Sequence, residues 1–403
     1  MSETMLSRYS MAERTILGVV ALGVLALGAK IAVDAVALAT LPNYNRMRLA
    51  EQSLPDDATA DDFKSALLQD PLARAALSGL AKIEGKADQT DAARAAMQRV
   101  MELSRRDVDA LLWLTDDALK RGDYVTANET LDRLLRTQPN MWADSTATAL
   151  RAVADVPEAR KSLIQVLATN PSWRYWWIKD FGANGDPAKL RQLLYDLRDA
   201  GSPPTQDELG FYLGRVMRMG DYAQAHLDWT GLFVPPDQIE GLSYVYNGDF
   251  NLPISGTPFD WRIAPRSGAK ILVRDIQDGQ PAAKALTVIT FGDRVPFANV
   301  WQSLAIPPGL YTLKFSASAT NLKTRGGFVW RVFCSAPEWR LIAETDRISS
   351  SMGWTNSELI FEVPQGCTGE QIRLDLAART PAEETVSGEV SFTNLSIVPA
   401  KLD

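Results

Sequence analysis

Few residues in this chain could carry covalent or metal chemistry. The sequence has one histidine, His226, and two cysteines, Cys334 and Cys367. A zinc site takes three or four His, Cys or carboxylate ligands, and a catalytic nucleophile needs a positioned base. His226 stands among apolar residues on a predicted helix, which favours a packing or surface role over catalysis. We therefore predict no catalytic residue, metal ligand or cofactor, and we do not expect an enzyme.

The charged residues point the same way. Acidic side chains of the C-terminal part are scattered, at Glu358, Glu362, Asp375 and Glu389. A glycosidase needs two carboxyl groups at a set separation in one cleft, and this spacing fits a solvated face better. The net charge is −7, and the sequence shows no basic run. Because a nucleic-acid surface needs clustered cations, nucleic acid is excluded as a partner.

The N-terminal segment is apolar enough to enter a membrane. Residues 16–29 are uninterrupted apolar or small residues, and 35–41 are mostly apolar. A membrane-spanning helix needs about 20 such residues. We predict a cytoplasmic tail over 1–14 and a single transmembrane anchor over 15–41. A cleaved signal peptide and a buried helix stay open as alternatives, and arginines on both flanks leave the orientation undecided.

Residues 42–236 are predicted to form a helical repeat domain. Apolar residues recur at helical spacing, and Asp70-Pro71 and Asn170-Pro171 fit helix starts. The run Gly122-Asp123-Tyr124 recurs as Gly220-Asp221-Tyr222. This pattern resembles tetratricopeptide-type repeats and implies an α-solenoid of about five hairpins over 55–235. Such a solenoid either grips a partner protein or acts as a spacer. The aromatic residues of 173–177 favour a core over an interface.

Residues 237–403 are predicted to form a β-sandwich, after a linker at Pro235-Pro236. Tyr311, Leu313, Phe315 and Ala317 alternate with polar residues, and 371–379 alternate in the same way. Period-two alternation is typical of half-buried antiparallel strands. At least seven such runs, separated by Pro/Gly turns, favour a sandwich.

A resemblance follows from three stretches of this region. Asn247-Gly248-Asp249-Phe250 with Phe259-Asp260-Trp261, the strands 301–304 and 308–311, and the last strand over 388–397 resemble galactose-binding-like jelly rolls. The nearest class is the carbohydrate-binding modules built on that fold. The resemblance implies that 246–263 form the first strand and turn, with Phe250, Phe259 and Trp261 buried. Modules of that class often hold a structural calcium with acidic groups of the opening and closing strands. Asp249 could serve as such a group, but Asn394 stands where an aspartate is commoner, so the resemblance leaves calcium open.

Carbohydrate binding would require aromatic faces that stack on pyranose rings, with amide and guanidinium groups on the hydroxyls. We predict Trp301, Gln302 and Arg331 as the carbohydrate-binding residues. Trp301 shares strand parity with Ser303, opposite Leu304, so its indole is expected to face outward, although burial stays equally open. Trp261 and Trp330 have apolar neighbours and are expected in the core.

The two cysteines indicate the cellular compartment of the protein. Cys334 ends a predicted strand, and Cys367 follows a turn in the same region. One disulfide is favoured over two buried thiols, which indicates an oxidising compartment. The prediction is then a single-pass protein of the bacterial inner membrane with residues 43–403 in the periplasm.

The whole arrangement resembles accessory proteins of bacterial exopolysaccharide production. The resemblance implies a non-catalytic, membrane-anchored envelope protein that binds polysaccharide and docks on synthesis or export machinery. The alternative is an envelope scaffold whose solenoid and sandwich bind protein partners.

Overall fold

The computed structural model describes residues 58–86, 90–138, 144–239, 243–276 and 283–400. The predicted tail and anchor, 1–14 and 15–41, lie outside these residues. Within the described ranges, no helix is both long and apolar enough to cross a bilayer. The contacts divide the chain into two compact units, 1–142 and 143–403, whereas the sequence predicts a boundary at 236/237. The order of helices followed by strands is confirmed.

The first unit contains five described helices. They are α1 (Ala60–Gln69), α2 (Arg74–Lys86), α3 (Thr90–Leu103), α4 (Val108–Lys120) and α5 (Tyr124–Thr137). Helix α2 packs on α3, and α4 packs on α5. Small side chains let these helices approach closely, and the core joins Ala81, Ala93, Met97, Val100, Ala110 and Leu114.

The repeated Gly-Asp-Tyr run forms the same turn at both of its positions. Gly122 and Gly220 have φ angles of 72° and 85°, in the left-handed region that glycine adopts at little cost. The following aspartate caps the next helix: Asp123 accepts from the Thr126 amide, and the Asp221 carboxylate accepts from the Gln224 amide. The run therefore ends one helix and starts its partner, as a hairpin repeat requires.

The second unit begins with seven described helices. They are α6 (Asp144–Asp155), α7 (Pro157–Ala168), α8 (Arg174–Asn184), α9 (Pro187–Asp199), α10 (Gln206–Arg218), α11 (Tyr222–Phe233) and α12 (Pro236–Ile239). Helix α6 packs on α7, α8 on α9, and α10 on α11. Of the aromatic cluster, Trp173 and Trp177 are buried, but Trp176 is 54% exposed. The cluster is thus divided between core and surface.

Nine strands follow. They are β1 (Arg262–Ile263), β2 (Ala269–Asp275), β3 (Lys284–Arg294), β4 (Val300–Leu304), β5 (Gly309–Ala336), β6 (Arg340–Glu344), β7 (Ile348–Val363), β8 (Gly369–Leu376) and β9 (Thr385–Pro399). The first part of β5 pairs with β7 and β9, and its last part pairs with β8 and β6. Strand β5 therefore belongs to two layers. The front sheet has the order β1-β4-β8-β5-β6 and the back sheet β2-β3-β9-β5-β7, antiparallel throughout.

Large aromatic side chains fill the space between the two sheets. Trp261, Trp330 and Phe392 are fully buried. The ring of Trp330 lies 5.6 Å from that of Trp261 and 5.3 Å from that of Phe392. The predicted burial of Trp261 and Trp330 is confirmed, and so is the predicted inward face of Leu313 and Phe315. The sandwich thus has one core with contributions from both sheets.

The stretch 246–263 is not the strand that the resemblance implies. Strand geometry is confined to β1, at its end, because Asn247 and Phe250 take left-handed φ angles of 50° and 57° and turn the chain. The indole of Trp261 donates to the Asn247 carbonyl at 3.0 Å. Phe250, Phe259 and Trp261 are buried as predicted. Residues 246–263 therefore form an irregular segment at one end of the sandwich, which we call the plug.

Helix α11 packs directly on this plug. The Trp229 indole donates to the Thr257 hydroxyl at 2.9 Å, and its ring meets that of Tyr246 edge-on at 5.0 Å. The His226 ring lies 5.1 Å from that of Phe259, and burial lowers the pKa of His226. His226 therefore takes a packing position. Within the second unit, α11 therefore packs against the sandwich through the plug.

Candidate functional site

A row of large polar and aromatic side chains crosses the outer face of the front sheet. Arg262 on β1 pairs in register with Trp301 on β4, and Trp301 pairs with Arg373 on β8. Arg373 pairs with Arg331 on β5, which pairs with Glu344 on β6. Residues directly opposite in register share one face of a sheet. Five strands therefore present five consecutive side chains to the same side.

An aromatic stack lies beside this row. The rings of Phe333 and Trp339 are stacked, with centroids 4.8 Å apart and planes 22° apart. The Arg373 guanidinium carbon lies 4.6 Å from the Phe333 ring centre and 5.7 Å from that of Trp339. Trp339 is 49% exposed. The stack holds the Arg373 plane in place and leaves an indole face open to solvent.

Carboxylates fix the two central arginines. Asp375 accepts from Arg373 at 2.6 and 2.8 Å and from Arg331 at 3.0 Å, and Glu344 accepts from Arg331 at 2.7 Å. Partial burial opposes the charge of Arg331, but these hydrogen bonds outweigh it, and its pKa is raised. Asp375 is itself buried, which corrects the expectation of a solvated carboxylate. These hydrogen bonds hold both guanidinium groups in place on the face.

The structure brings together two of the three predicted carbohydrate-binding residues. Trp301 and Arg331 are both partly exposed on the front sheet. Gln302 does not share that face. It is fully buried, its amide oxygen accepts from the Tyr246 amide at 3.0 Å, and its amide nitrogen donates to the Tyr246 carbonyl at 2.9 Å. Period-two alternation sends Gln302 inward, where it holds the plug against β4.

Sequence reasoning missed the other members of this face. Arg373 could have been found, because it lies on the polar side of the alternation that marks β8. Phe333 and Trp339 could not, since they lie on either side of the β5–β6 turn and only the fold stacks their rings. Their joint role depends on the hairpin between Ala336 and Arg340.

The helices supply a wall at one end of the front sheet. The end of α10 and the turn into α11 face Arg262, Ser303 and Ser335 across a cleft of about 600 Å³. A Cβ built on Gly369 would stand 2.2 Å from the Tyr222 ring. Glycine is therefore required there for α11 to lie over the start of β8.

Two glycines on α10 line the same cleft. A Cβ built on Gly210 would meet no atom within 4 Å, and one on Gly214 would approach only the tip of Arg218, at 3.5 Å. Packing therefore does not demand glycine at either position, although glycine within a helix costs about 1 kcal/mol relative to alanine. At these two positions the helix surface carries no side chain, which leaves room for a ligand beside Arg218.

No metal centre emerges among the residues that the structure describes. They include no group of three or more His, Cys, Asp or Glu side chains able to hold an ion. Asp249 and Asn394, the residues considered for structural calcium, line one hollow. The Asp249 carboxylate accepts from the Asn251 side chain at 2.6 Å. The sequence leaves a calcium ion at this hollow open but does not predict one.

The predicted disulfide is confirmed. Cys334 and Cys367 are bonded, and both are buried. The bridge ties the end of β5 to the turn between β7 and β8, and Cys334 directly follows Phe333 of the aromatic stack. It therefore fixes the side of the front sheet that carries the aromatic stack.

Beside the disulfide lies a buried carboxyl group, Glu370, which pairs in register with Cys334. One of its oxygens accepts from the Ile306 amide at 2.8 Å, while the other has no partner among the described residues. Burial raises the pKa of Glu370 to about 7. A single donor does not replace the water that an ionised carboxylate loses.

Stability should therefore fall as pH rises between about 4.5 and 7. In this window the folded protein keeps the proton on Glu370 and the unfolded chain releases it, so ionisation favours unfolding, by about 3 kcal/mol in total. Above both pKa values the contribution is constant. Unfolding midpoints measured at several pH values should show this slope in the wild type and a reduced slope in Glu370→Gln. The exposed control Glu362→Gln should keep the wild-type slope; equal slopes in all three proteins would contradict the assignment.

No family model matches this sequence, and no curated protein matches it. Solved structures that match its sandwich part include carbohydrate-binding modules. One is a CBM4 structure, with 16% identity, a TM-score of 0.29, and coverage of 39% of this chain and 99% of that chain. Another, TmCBM61 in complex with β-1,4-galactotriose, has 14% identity, a TM-score of 0.29, and coverage of 40% and 100%.

A third is a xylan-binding domain from CBM22, with 14% identity, a TM-score of 0.28, and coverage of 40% of this chain and 99% of that chain. The identity of these structures to the chain is too low for any residue to be transferred from them. At these TM-scores the similarity decides nothing about the ligand of this protein.

Proposed function

We propose that this protein is a non-catalytic polysaccharide-binding protein whose ligand lies across the front sheet. The observation that carries the proposal is the register row from Arg262 through Trp301, Arg373 and Arg331 to Glu344. The row places the indole of Trp301 and three arginine guanidinium groups on one face of the sheet. Sugars need this combination, because their rings have apolar C–H faces and a rim of hydroxyl groups.

The contacts within the face support the same proposal. Arg331 and Arg373 are held by carboxylates and by an aromatic stack, so little side-chain entropy is lost when they bind a hydroxyl. The exposed ring of Trp339 supplies a second apolar surface beside Trp301. Two aromatic surfaces with ordered donors between them would suit an extended chain of sugar rings rather than a single small molecule.

We also propose a membrane location and a docking role for this protein. The apolar run over 15–41 supports an anchor in the bacterial inner membrane, and the disulfide supports an oxidising compartment such as the periplasm. On this proposal residues 43–403 are periplasmic. The helices would then dock on polysaccharide synthesis or export machinery while the sandwich holds the polymer.

Trp301→Ala should weaken polysaccharide binding by about tenfold or more, because truncation of a central aromatic anchor usually costs more than 1.4 kcal/mol. Binding should be measured by affinity electrophoresis with the full chain against a panel of soluble polysaccharides, followed by calorimetry with those that retard it. Trp339→Ala should also weaken binding. The melting temperature of each variant shows whether it still folds.

A matched control is available on the back sheet. Phe291 on β3 is 65% exposed, so Phe291→Ala removes an exposed aromatic ring without touching the front sheet. It should leave polysaccharide affinity unchanged. If no polysaccharide binds, or if Phe291→Ala and Trp301→Ala have equal effects, the front sheet is not the site. A protein partner lost in Trp301→Ala would instead favour an envelope scaffold.

A further inference from the structure

The cleft at the end of the front sheet carries an unbalanced positive charge. Arg218 at the end of α10 and Arg262 on β1 both line it, and its lining contains no aspartate or glutamate. Neither arginine forms an ion pair with a carboxylate in the described part of the chain. The acidic residues nearest in sequence to the lining, Asp221 and Glu338, are not part of it.

This arrangement differs from that of the other arginines on the same face. Arg331 and Arg373 are each held by carboxylates at hydrogen-bond distance. Arg262 donates through Nε to the Gly256 carbonyl at 3.0 Å, which orients its guanidinium without neutralising it. In a chain with a net charge of −7, uncompensated guanidinium groups that share a cleft indicate an anionic occupant.

The shape of the cleft indicates where that anion belongs. The bare helix surface at Gly210 and Gly214 leaves space beside Arg218, and Ser303 and Ser335 border the opposite side. Arg262 pairs in register with Trp301. A sugar ring on Trp301 would therefore have a neighbouring residue of its chain close to the cleft.

We propose that the polysaccharide is acidic and that the cleft binds its anionic substituent, a carboxylate or a sulfate ester, between Arg218 and Arg262. This inference rests on the proposed polysaccharide-binding function and names the class of its ligand. Guanidinium groups bind either anion through paired N–H donors. The helices then act as part of the binding site, because Arg218 comes from α10 and not from the sandwich.

The test compares charged and uncharged forms of one polymer, with the full chain. Polygalacturonate carries a carboxylate on each residue, its methyl ester has the same backbone without the charge, dextran sulfate carries sulfate esters, and polyglutamate is an anion without sugar. The wild type should bind polygalacturonate or dextran sulfate more tightly than the methyl ester and polyglutamate. Preference between the first two identifies the anion.

The arginine variants locate the charge recognition. Arg218→Gln and Arg262→Gln should each weaken binding of the charged polysaccharide by about tenfold and flatten its salt dependence. Arg218→Lys should fall between wild type and Arg218→Gln, since it keeps the charge but loses the forked donors. Arg325→Gln, at an exposed arginine of β5 that does not line the cleft, should bind like wild type.

The outcomes separate this inference from the function on which it rests. Equal binding of charged and methyl-esterified polymer, lost in Trp301→Ala but kept in both glutamine variants, would overturn the acidic ligand and retain polysaccharide binding. Equal loss in Arg325→Gln, or binding of polyglutamate as tight as that of the polysaccharides, would also overturn it as general charge attraction. Absence of binding to every polysaccharide would overturn both.

Discussion

Arg174→Met is expected to lower the free energy of unfolding of the second unit by about 3–5 kcal/mol, the usual cost of stranding one partner of a buried ion pair. Arg174 on α8 and Glu208 on α10 are both 2% exposed at their side chains. The guanidinium donates to the carboxylate at 2.9 and 2.8 Å. It also donates to the Leu167 carbonyl and the Ser202 hydroxyl. Removal of Arg174 leaves a buried carboxylate without its counter-charge.

The reciprocal variant Glu208→Met should lower the free energy of unfolding by as much, because Glu208 has a second role. Its carboxylate accepts from the Thr205 amide at 2.9 Å, which completes a capping box at the start of α10. The double variant Arg174→Met/Glu208→Met should be destabilised by much less than the sum of the two single variants, since neither charge is then left alone. Helix α10 begins at this capping box and ends at Arg218, so the ion pair also supports the cleft.

The loss of unfolding free energy can be measured by guanidinium chloride unfolding, with tryptophan fluorescence as the signal. This signal comes mainly from the second unit. All tryptophans except Trp113 and Trp142 belong to the second unit. Lys189–Asp155 is the matched control, an ion pair with the same 34-residue separation that is 51% and 41% exposed at its side chains. Lys189→Met should cost less than about 1 kcal/mol. Equal costs for Arg174→Met and Lys189→Met would contradict the argument.

Removal of the Cys334–Cys367 disulfide is expected to cost about 4 kcal/mol in the loop-entropy account. The bridge closes a sequence separation of 33 residues, so its loss frees a long segment of the unfolded chain. The segment includes Trp339, and its stacking partner Phe333 directly precedes Cys334. The variant Cys334→Ala/Cys367→Ala should therefore unfold at lower denaturant concentration and also bind polysaccharide less tightly.

Reductant provides the control for this prediction. Dithiothreitol should lower the unfolding midpoint of the wild type towards that of the double variant. It should not change the midpoint of the double variant, which has no cysteine left. An unchanged wild-type midpoint after verified reduction would show that the bridge contributes nothing to stability.

Local patterns in the sequence predicted the elements of this protein well. The Gly-Asp-Tyr run specified a helix-ending turn, because a left-handed glycine and an aspartate cap act within a few residues. Period-two alternation put Leu313 and Phe315 on one face of their strand, because adjacent side chains in a strand point to opposite faces. For Trp301 it indicated an outward indole but left burial open. The same rule, applied to Gln302, would have placed it opposite Trp301 and thus inside.

Contacts between distant segments could not be predicted in this way. The plug over 246–263 carries the aromatic residues of a core, but its turns depend on Asn247 and Phe250 in left-handed conformations. Asp375 was expected in solvent because an isolated carboxylate prefers water. Two arginines from different strands enclose it, and this pairing exists only after β5 and β8 align.

The sequence by itself therefore determined the order of helices and strands, the turn repeats, the buried tryptophans and the pairing of the two cysteines, because each depends on local periodicity or on a very small number of candidates. Only the tertiary structure decided which side chains meet on the front sheet. The row from Arg262 to Glu344 joins residues up to 111 positions apart through the register of five strands. The cleft with Arg218 depends further on how α10 and α11 pack against the sandwich, which no local pattern encodes.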